Sequence, residues 1–199
     1  ALAVTIRFPN VRALPAIVGR VKRLFDVGAD VEAIGAELSH DATLAALIAR
    51  RPGLRVPGAW DGFELAIRAV LGQQVTVTAA RRLAGALVKA CGALATHAGG
   101  AQANRLFPDP ARLLAADLGS LGMPRSRKAT LKAIAEAAVR DPRLFEPAAS
   151  LDVAIARLLA IPGIGDWTAQ YIALRALHET DAFPATDAGL LRTADTLGV

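Results

Sequence analysis

Residues 158–192 read LLAIPGIGDWTAQYIALRALHETDAFPATDAGLLR. The pivot of this stretch is Pro162-Gly163-Ile164-Gly165. Before it, Leu151, Ile155, Leu158 and Leu159 repeat at helical spacing, and after it Trp167, Tyr171, Leu174 and His178 do the same. Two helices are therefore joined by a very short turn. Its two glycines permit positive φ and leave the backbone without side-chain cover. Orphan N–H groups at the start of the second helix, helped by its dipole, then suit an anion such as a phosphate. A glycine-rich link in an ordinary helical hairpin carries the same signature, so the flanking residues decide between the two.

Trp167 and Tyr171 stand one helical turn apart and share a face. Aromatics make up 5% of the chain, so a pair placed directly after the turn is a candidate stacking surface for a base or an electron-poor ring. Asp187, in Pro184-Ala185-Thr186-Asp187, precedes the helical pattern Leu190, Leu191, Ala194 and is a natural N-cap. Donors at a helix start favour its charged form. An ionised carboxylate so held can face a cationic transition state such as the oxocarbenium-like sugar of glycosidic cleavage. The interval from Gly165 to Asp187 accommodates one helix and a return loop, which brings the carboxylate back beside the aromatic face.

The chain has 199 residues, of which 53% are hydrophobic, and its Ala- and Leu-rich composition favours a packed α-rich domain over disorder. The formal charge of +5 and a pI of about 10.1 permit nucleic acid as a partner without requiring it. No apolar run approaches the roughly 18 residues that span a bilayer, so no membrane association is expected. The single cysteine, Cys91, excludes an internal disulfide framework and a cysteine-based cluster; it aligns with Leu83 and Leu87 as a core residue.

Residues 2–8 (LAVTIRF) alternate weakly and predict a short strand, and residues 11–26 an amphipathic helix. Together they suggest the tail of a truncated α/β domain over 1–28, followed by a helical domain over 29–199 that is expected to be cut short at its C-terminus. Helices are predicted at 30–38 and 41–50, with Asp30 and Asp41 as N-caps. Pro-Gly breaks at 52–53 and 57–58 precede WDGFELAIRAVLGQQVTVTAARRLAGALVKACG at 60–92, two helices interrupted at Gly72-Gln73-Gln74. Residues 93–107 are expected to be loop, and Asp109-Pro110 to open a short helix. Arg125, Arg127 and Lys128 then start another helix, against its dipole, which hints at a nearby anion.

LLAIPGIGDWTAQYIALRAL followed by FPATD resembles the helix-hairpin-helix signature, with its trailing catalytic Asp, of the DNA glycosylase superfamily. RPGLRVPGAWDGFELAIRAVLGQQVTVTAARRLAG and LGMPRSRKATLKAIAEAA are similar to the matching segments of its 3-methyladenine DNA glycosylase II (AlkA-type) branch. The resemblance implies a mainly all-α fold of two helical lobes with the hairpin at about 150–178. It also implies double-stranded DNA with a damaged, flipped base as partner, a monomer, and work on the nucleoid in a bacterial cytoplasm. By position, Asp187 corresponds to the catalytic carboxylate. Gly163, Ile164 and Gly165 correspond to the phosphate-holding turn, with Thr168 as a helping hydroxyl. Trp167, Tyr171 and Trp60 correspond to the base pocket, and Gln73 and Gln74 to the loop that enters the DNA. The branch often has an apolar wedge there, from which Gln74 departs. No metal or cofactor is implied, beyond a monovalent cation at the hairpin carbonyls.

Glycosylases that also nick the strand resemble this motif but carry Lys directly after the hairpin, where this chain has Trp167. The nearest preceding lysine is Lys132. The expected chemistry is therefore monofunctional hydrolysis of alkylated purines such as 3-methyladenine. A non-catalytic helix-hairpin-helix DNA-binding module, a structural all-α domain, or a glycosylase for another damaged or mismatched base are the alternatives left open.

Overall fold

A computed structural model describes residues 2–8, 10–95 and 104–198. The chain divides into two compact units, Ala1–Trp60 and Asp61–Val199. The sequence reading placed the junction after residue 28. The contacts place it later because the helices following residue 28 pair with each other and the segment after them is tied back to the chain before them.

In the first unit a 3-10 turn, Val11–Ala13, leads into α1 (Leu14–Leu24), followed by α2 (Val31–Leu38) and α3 (Ala42–Arg50). Asp30 accepts from the N–H groups of Glu32 and Ala33, and Asp41 from those of Thr43 and Leu44, so both cap as expected. The guanidinium of Arg55 donates to the carbonyls of Asp26 and Ala29, and Gly58 N–H donates to Leu24. These bonds hold the segment after α3 against the end of α1. The strand expected over residues 2–8 does not form: a strand needs a partner edge, and none pairs with this segment among the described residues.

The second unit is helical throughout its core. It comprises α4 (Gly62–Gly72), α5 (Val77–Cys91), α6 (Pro110–Ala115), α7 (Arg125–Arg140), α8 (Leu151–Leu159), α9 (Asp166–Ile172) and α10 (Ala188–Leu197). The apolar positions of α4 (Phe63, Ile67, Val70 and Leu71) are buried, and α4 packs against α5, α7 and α9. Leu87, Leu113, Leu131, Ile134, Leu158 and Ile172 complete a continuous core. Each fully buried side chain of this size stabilises by about 1.5–3 kcal/mol relative to exposure. Asp61, Thr76, Asp109 and Ser150 supply side-chain N-caps to α4, α5, α6 and α8. Of the loop expected over 93–107, the described ends form one antiparallel bridge between Leu94 and Arg105, and residues 96–103 lie outside the described residues.

One departure from helical spacing matters. After Ile172 the backbone widens into a π-helical turn, Ala173–Leu177, and His178 ends it at φ 59°. The widened turn shifts the register, so His178 caps the element instead of continuing the face of Trp167 and Tyr171.

Candidate active site

The hairpin turn is built on α7. Gly163 has φ +88°, and a Cβ placed on it would lie inside Thr130 Oγ1 and 2.9 Å from Thr130 Cβ. The turn thus needs glycine twice over, for its backbone angle and for its contact. Gly165 differs from expectation. Its φ is −97°, and it serves as N-cap of α9 with open space around it, so its value lies in leaving the backbone bare. Ile164 is buried in the core and its N–H donates to Ile161 O at 3.1 Å, so this amide is spent inside the turn. Asp166, at the first position of α9, already complements the dipole that an incoming anion would use.

Downstream, Trp167 and Tyr171 stack with ring centroids 5.2 Å apart and planes inclined by 14°. The Arg175 guanidinium lies 5.4 Å from the Tyr171 ring centroid and its Nη1 donates to Tyr171 Oη at 3.1 Å. The return loop is tied to the same helix: Phe183 N–H donates to Gln170 Oε1 at 3.1 Å, and Ala182 is buried. That tie brings Asp187 to the edge of the indole. Trp167 Nε1 donates to Asp187 Oδ2 at 2.9 Å, while Asp187 Oδ1 accepts from Gly189 N–H at 2.8 Å and Leu190 N–H at 3.1 Å. The carboxyl is held below its ordinary range. The Trp167 hydrogen bond is the largest cause, then the Leu190 amide; partial burial opposes, and the Gly189 amide and Arg192 assist.

Gln73 and Gln74 sit where α4 gives way to α5, on the same body. Gln73 Nε2 donates to Thr168 Oγ1 at 3.0 Å, and Gln73 O accepts from Arg127 Nη2 at 2.8 Å. Gln74 is exposed with φ 54°, a left-handed conformation uncommon for a side-chain-bearing residue. Thr168, expected as a phosphate-helping hydroxyl, is buried at 2% exposure and serves Gln73 instead. Trp60 belongs to the first unit, where the Arg20 guanidinium lies 5.5 Å from its ring centroid, and the geometry of the second unit is built without it.

Of the three cations at the start of α7, Arg127 donates to Gln73 O and Lys128 Nζ to Gly119 O. Lys132 Nζ donates to the carbonyls of Leu113, Leu114 and Ala116, so its three N–H groups are spent closing the C-terminal end of α6. Sequence reasoning did not single out Thr130, Gln170 or Lys132 for these roles. Each acts through a backbone group or a glycine distant in sequence, which leaves no local pattern. Among the described residues no cluster of His, Cys, Asp and Glu could hold a metal ion, and no helix is long and apolar enough to cross a membrane.

A helical hairpin on a glycine turn, followed by a capping Asp returned to the face of the second helix, is the arrangement of one class of DNA repair proteins. Family profiles match it in tandem: the AlkA N-terminal domain over residues 1–61 and the HhH-GPD superfamily of base excision DNA repair proteins over residues 67–199. The chain belongs to the HhH-GPD superfamily, and the pairing of the two domains puts it in the AlkA-type branch. It is 39% identical over 188 residues to a Mycobacterium tuberculosis protein named "Probable bifunctional transcriptional activator/DNA repair enzyme AlkA", covering 94% of this chain and 38% of that one. It is 35% identical to the Escherichia coli DNA-3-methyladenine glycosylase 2 over 179 residues, 84% of this chain and 57% of that protein. The chain therefore spans between about two-fifths and three-fifths of the length of these relatives. Among solved structures, the Archaeoglobus fulgidus 3-methyladenine DNA-glycosylase superposes with a TM-score of 0.80 at 24% identity, over 96% of this chain and 65% of that one, which establishes the shared fold.

Proposed function

We propose that this chain carries the catalytic body of a monofunctional DNA glycosylase that flips an alkylated purine out of duplex DNA and hydrolyses its N-glycosidic bond. The observation that carries the reading is the carboxylate of Asp187, fixed by three donors at the edge of the Trp167–Tyr171 stack. A base alkylated at a ring nitrogen, as in 3-methyladenine, is cationic. It is attracted to aromatic faces and departs readily as the neutral base. The C1′–N bond breaks with its electron pair leaving on the base, and positive charge develops on the sugar. The Asp187 carboxylate stabilises that charge, a water adds to C1′, and the proton lost by the water passes to the carboxylate or to solvent. Three donors on Asp187 lower its basicity, which favours the charge-stabilising role over full proton abstraction.

Binding follows the same logic. The amides of Gly163 and Gly165, and not that of Ile164, are the ones offered to a DNA phosphate, with a monovalent cation at the hairpin carbonyls able to bridge, and no other cofactor is required. The exposed Gln74, on a loop anchored through Gln73, occupies the gap that the flipped nucleotide leaves. Trp167 in place of a lysine, and Lys132 with its donors engaged, support hydrolysis without strand nicking. The relatives' names support the alkylpurine class. The protein would act as a monomer on nucleoid DNA in the cytoplasm.

The test is incubation of the full-length protein and its Asp187→Asn variant with duplex DNA bearing N3-methyladenine. Released base is identified by mass and nicks by denaturing gel. The expected result is free 3-methyladenine and intact abasic strands for the unaltered protein. The variant should lose excision by at least a hundredfold while retaining DNA binding. Undiminished excision by the variant, or nicking without added base, would overturn the reading.

A further inference from the structure

We infer that Trp167 is a positioning residue for Asp187: its indole N–H fixes carboxylate Oδ2 while its ring face remains packed on Tyr171. The inference rests on the catalytic reading of Asp187 given above. The two amides of α10 hold only Oδ1. A carboxylate pinned at one oxygen can still rotate about the Cβ–Cγ bond and sweep the other through an arc. A donor from a different element removes that freedom, and Trp167 Nε1, 2.9 Å from Oδ2, is that donor.

The donor is itself immobilised. Tyr171 stacks against the indole and is held in turn by Arg175, and α9 is rooted in the core through Ala169 and Ile172, both at 0% exposure. The support therefore runs Arg175 to Tyr171 to Trp167 to Asp187, along one helix and across to the next. An indole nitrogen donates and cannot accept. The contact consequently favours the ionised carboxylate over the protonated acid. Among the causes that lower the Asp187 pKa this bond ranks first, ahead of either backbone amide. The charged group that acts on the carboxylate is Arg192, from its own helix, whereas α9 contributes the neutral indole. A base-stacking wall alone would need the ring of Trp167 and not its N–H, so the two roles separate chemically.

The experiment uses the full-length protein with Trp167→Phe, and a second variant in which Trp167 is replaced by 3-benzothienylalanine. The latter keeps both fused rings and exchanges N–H for sulfur, so it retains shape and stacking. The Asp187 carboxyl carbon is followed by NMR titration, assigned as the resonance lost in Asp187→Asn, and excision of N3-methyladenine is measured across pH. Both variants should show the Asp187 midpoint moved up, the acid limb of excision moved up with it, and excision at neutral pH reduced by about tenfold or more. An isostere with the midpoint and acid limb of the unaltered protein would overturn the inference and leave Trp167 as a stacking wall. If the unaltered protein excises nothing, the glycosylase reading fails, yet the titration still decides whether the indole controls the carboxylate.

Discussion

Gly163→Ala is the perturbation for which the structure fixes both size and cause. At φ +88° an L-residue is displaced from its allowed regions, at a cost of roughly 1–2 kcal/mol. The added methyl also meets Thr130, whose Oγ1 and Cγ2 both lie too close and whose side chain is 8% exposed on the rigid middle of α7. Forcing one methyl into a packed contact costs roughly 1–3 kcal/mol. The sum, about 2–5 kcal/mol, is a large part of a domain's usual stability. The two tryptophans lie in different units, so a Trp60→Phe background leaves Trp167 as the fluorescent reporter of the second unit during urea unfolding. In that background Gly163→Ala should lower the midpoint by the amount above. Adding Thr130→Ala removes Oγ1 and Cγ2 but keeps the Cβ at 2.9 Å, so it should restore most of the steric part and leave the backbone part. A loss below about 0.5 kcal/mol for Gly163→Ala would refute the reasoning. Equal losses with and without Thr130 would refute the assignment of the clash.

Three further outcomes are expected. Lys132→Met removes the side-chain donor from the carbonyls of Leu113, Leu114 and Ala116, of which Leu113 O keeps the Ala116 N–H, and should destabilise the second unit by about 1–3 kcal/mol in the same unfolding assay, with excision per folded molecule unchanged. Gln73→Ala strands the hydroxyl of buried Thr168 and should cost about 1–3 kcal/mol, whereas Gln74→Ala, at an exposed side chain, should leave stability within about 0.5 kcal/mol. The folded Asp187 pKa lies below its unfolded value, so the stability it adds is fully present above the ordinary carboxylate value of about 4 and is lost as pH falls through the lower folded value. Comparing acid unfolding of the unaltered protein and Asp187→Asn should show that increment vanish in the variant across this window, and identical acid profiles would refute it.

The helices and their caps were legible because their signals are local. Asp30, Asp41 and Asp109 each precede an apolar period, and each accepts the expected amides. The hairpin and its trailing Asp were legible for the same reason, since glycine, aromatic and acid types are scarce enough for their spacing to inform. What escaped depends on partners far along the chain. Residues 2–8 alternate like a strand, but no local pattern supplies the second edge that makes one. Thr168 reads as a helix-start hydroxyl able to help hold a phosphate, and it is buried where α4 packs against α9. The π-helical turn at Ala173–Leu177 interrupts a face that a 3.6-residue period continues smoothly to His178. Gly163 and Gly165 look equivalent in sequence, yet only the first has positive φ and only the first lies over Thr130.

The two polar ties around α9 differ in reach. Trp167 and Asp187 are 20 positions apart, and Gln73 and Thr168 are 95 apart. Loop-closure entropy grows with the logarithm of length, so the longer loop is harder to close by about 1.4 kcal/mol. A chain emerging residue by residue reaches the first contact through one helix and a short return. The second requires that α4 already be waiting. The indole and its carboxylate thus belong to a segment able to close on itself, whereas the tie between Gln73 and Thr168 needs the two ends of the unit brought together.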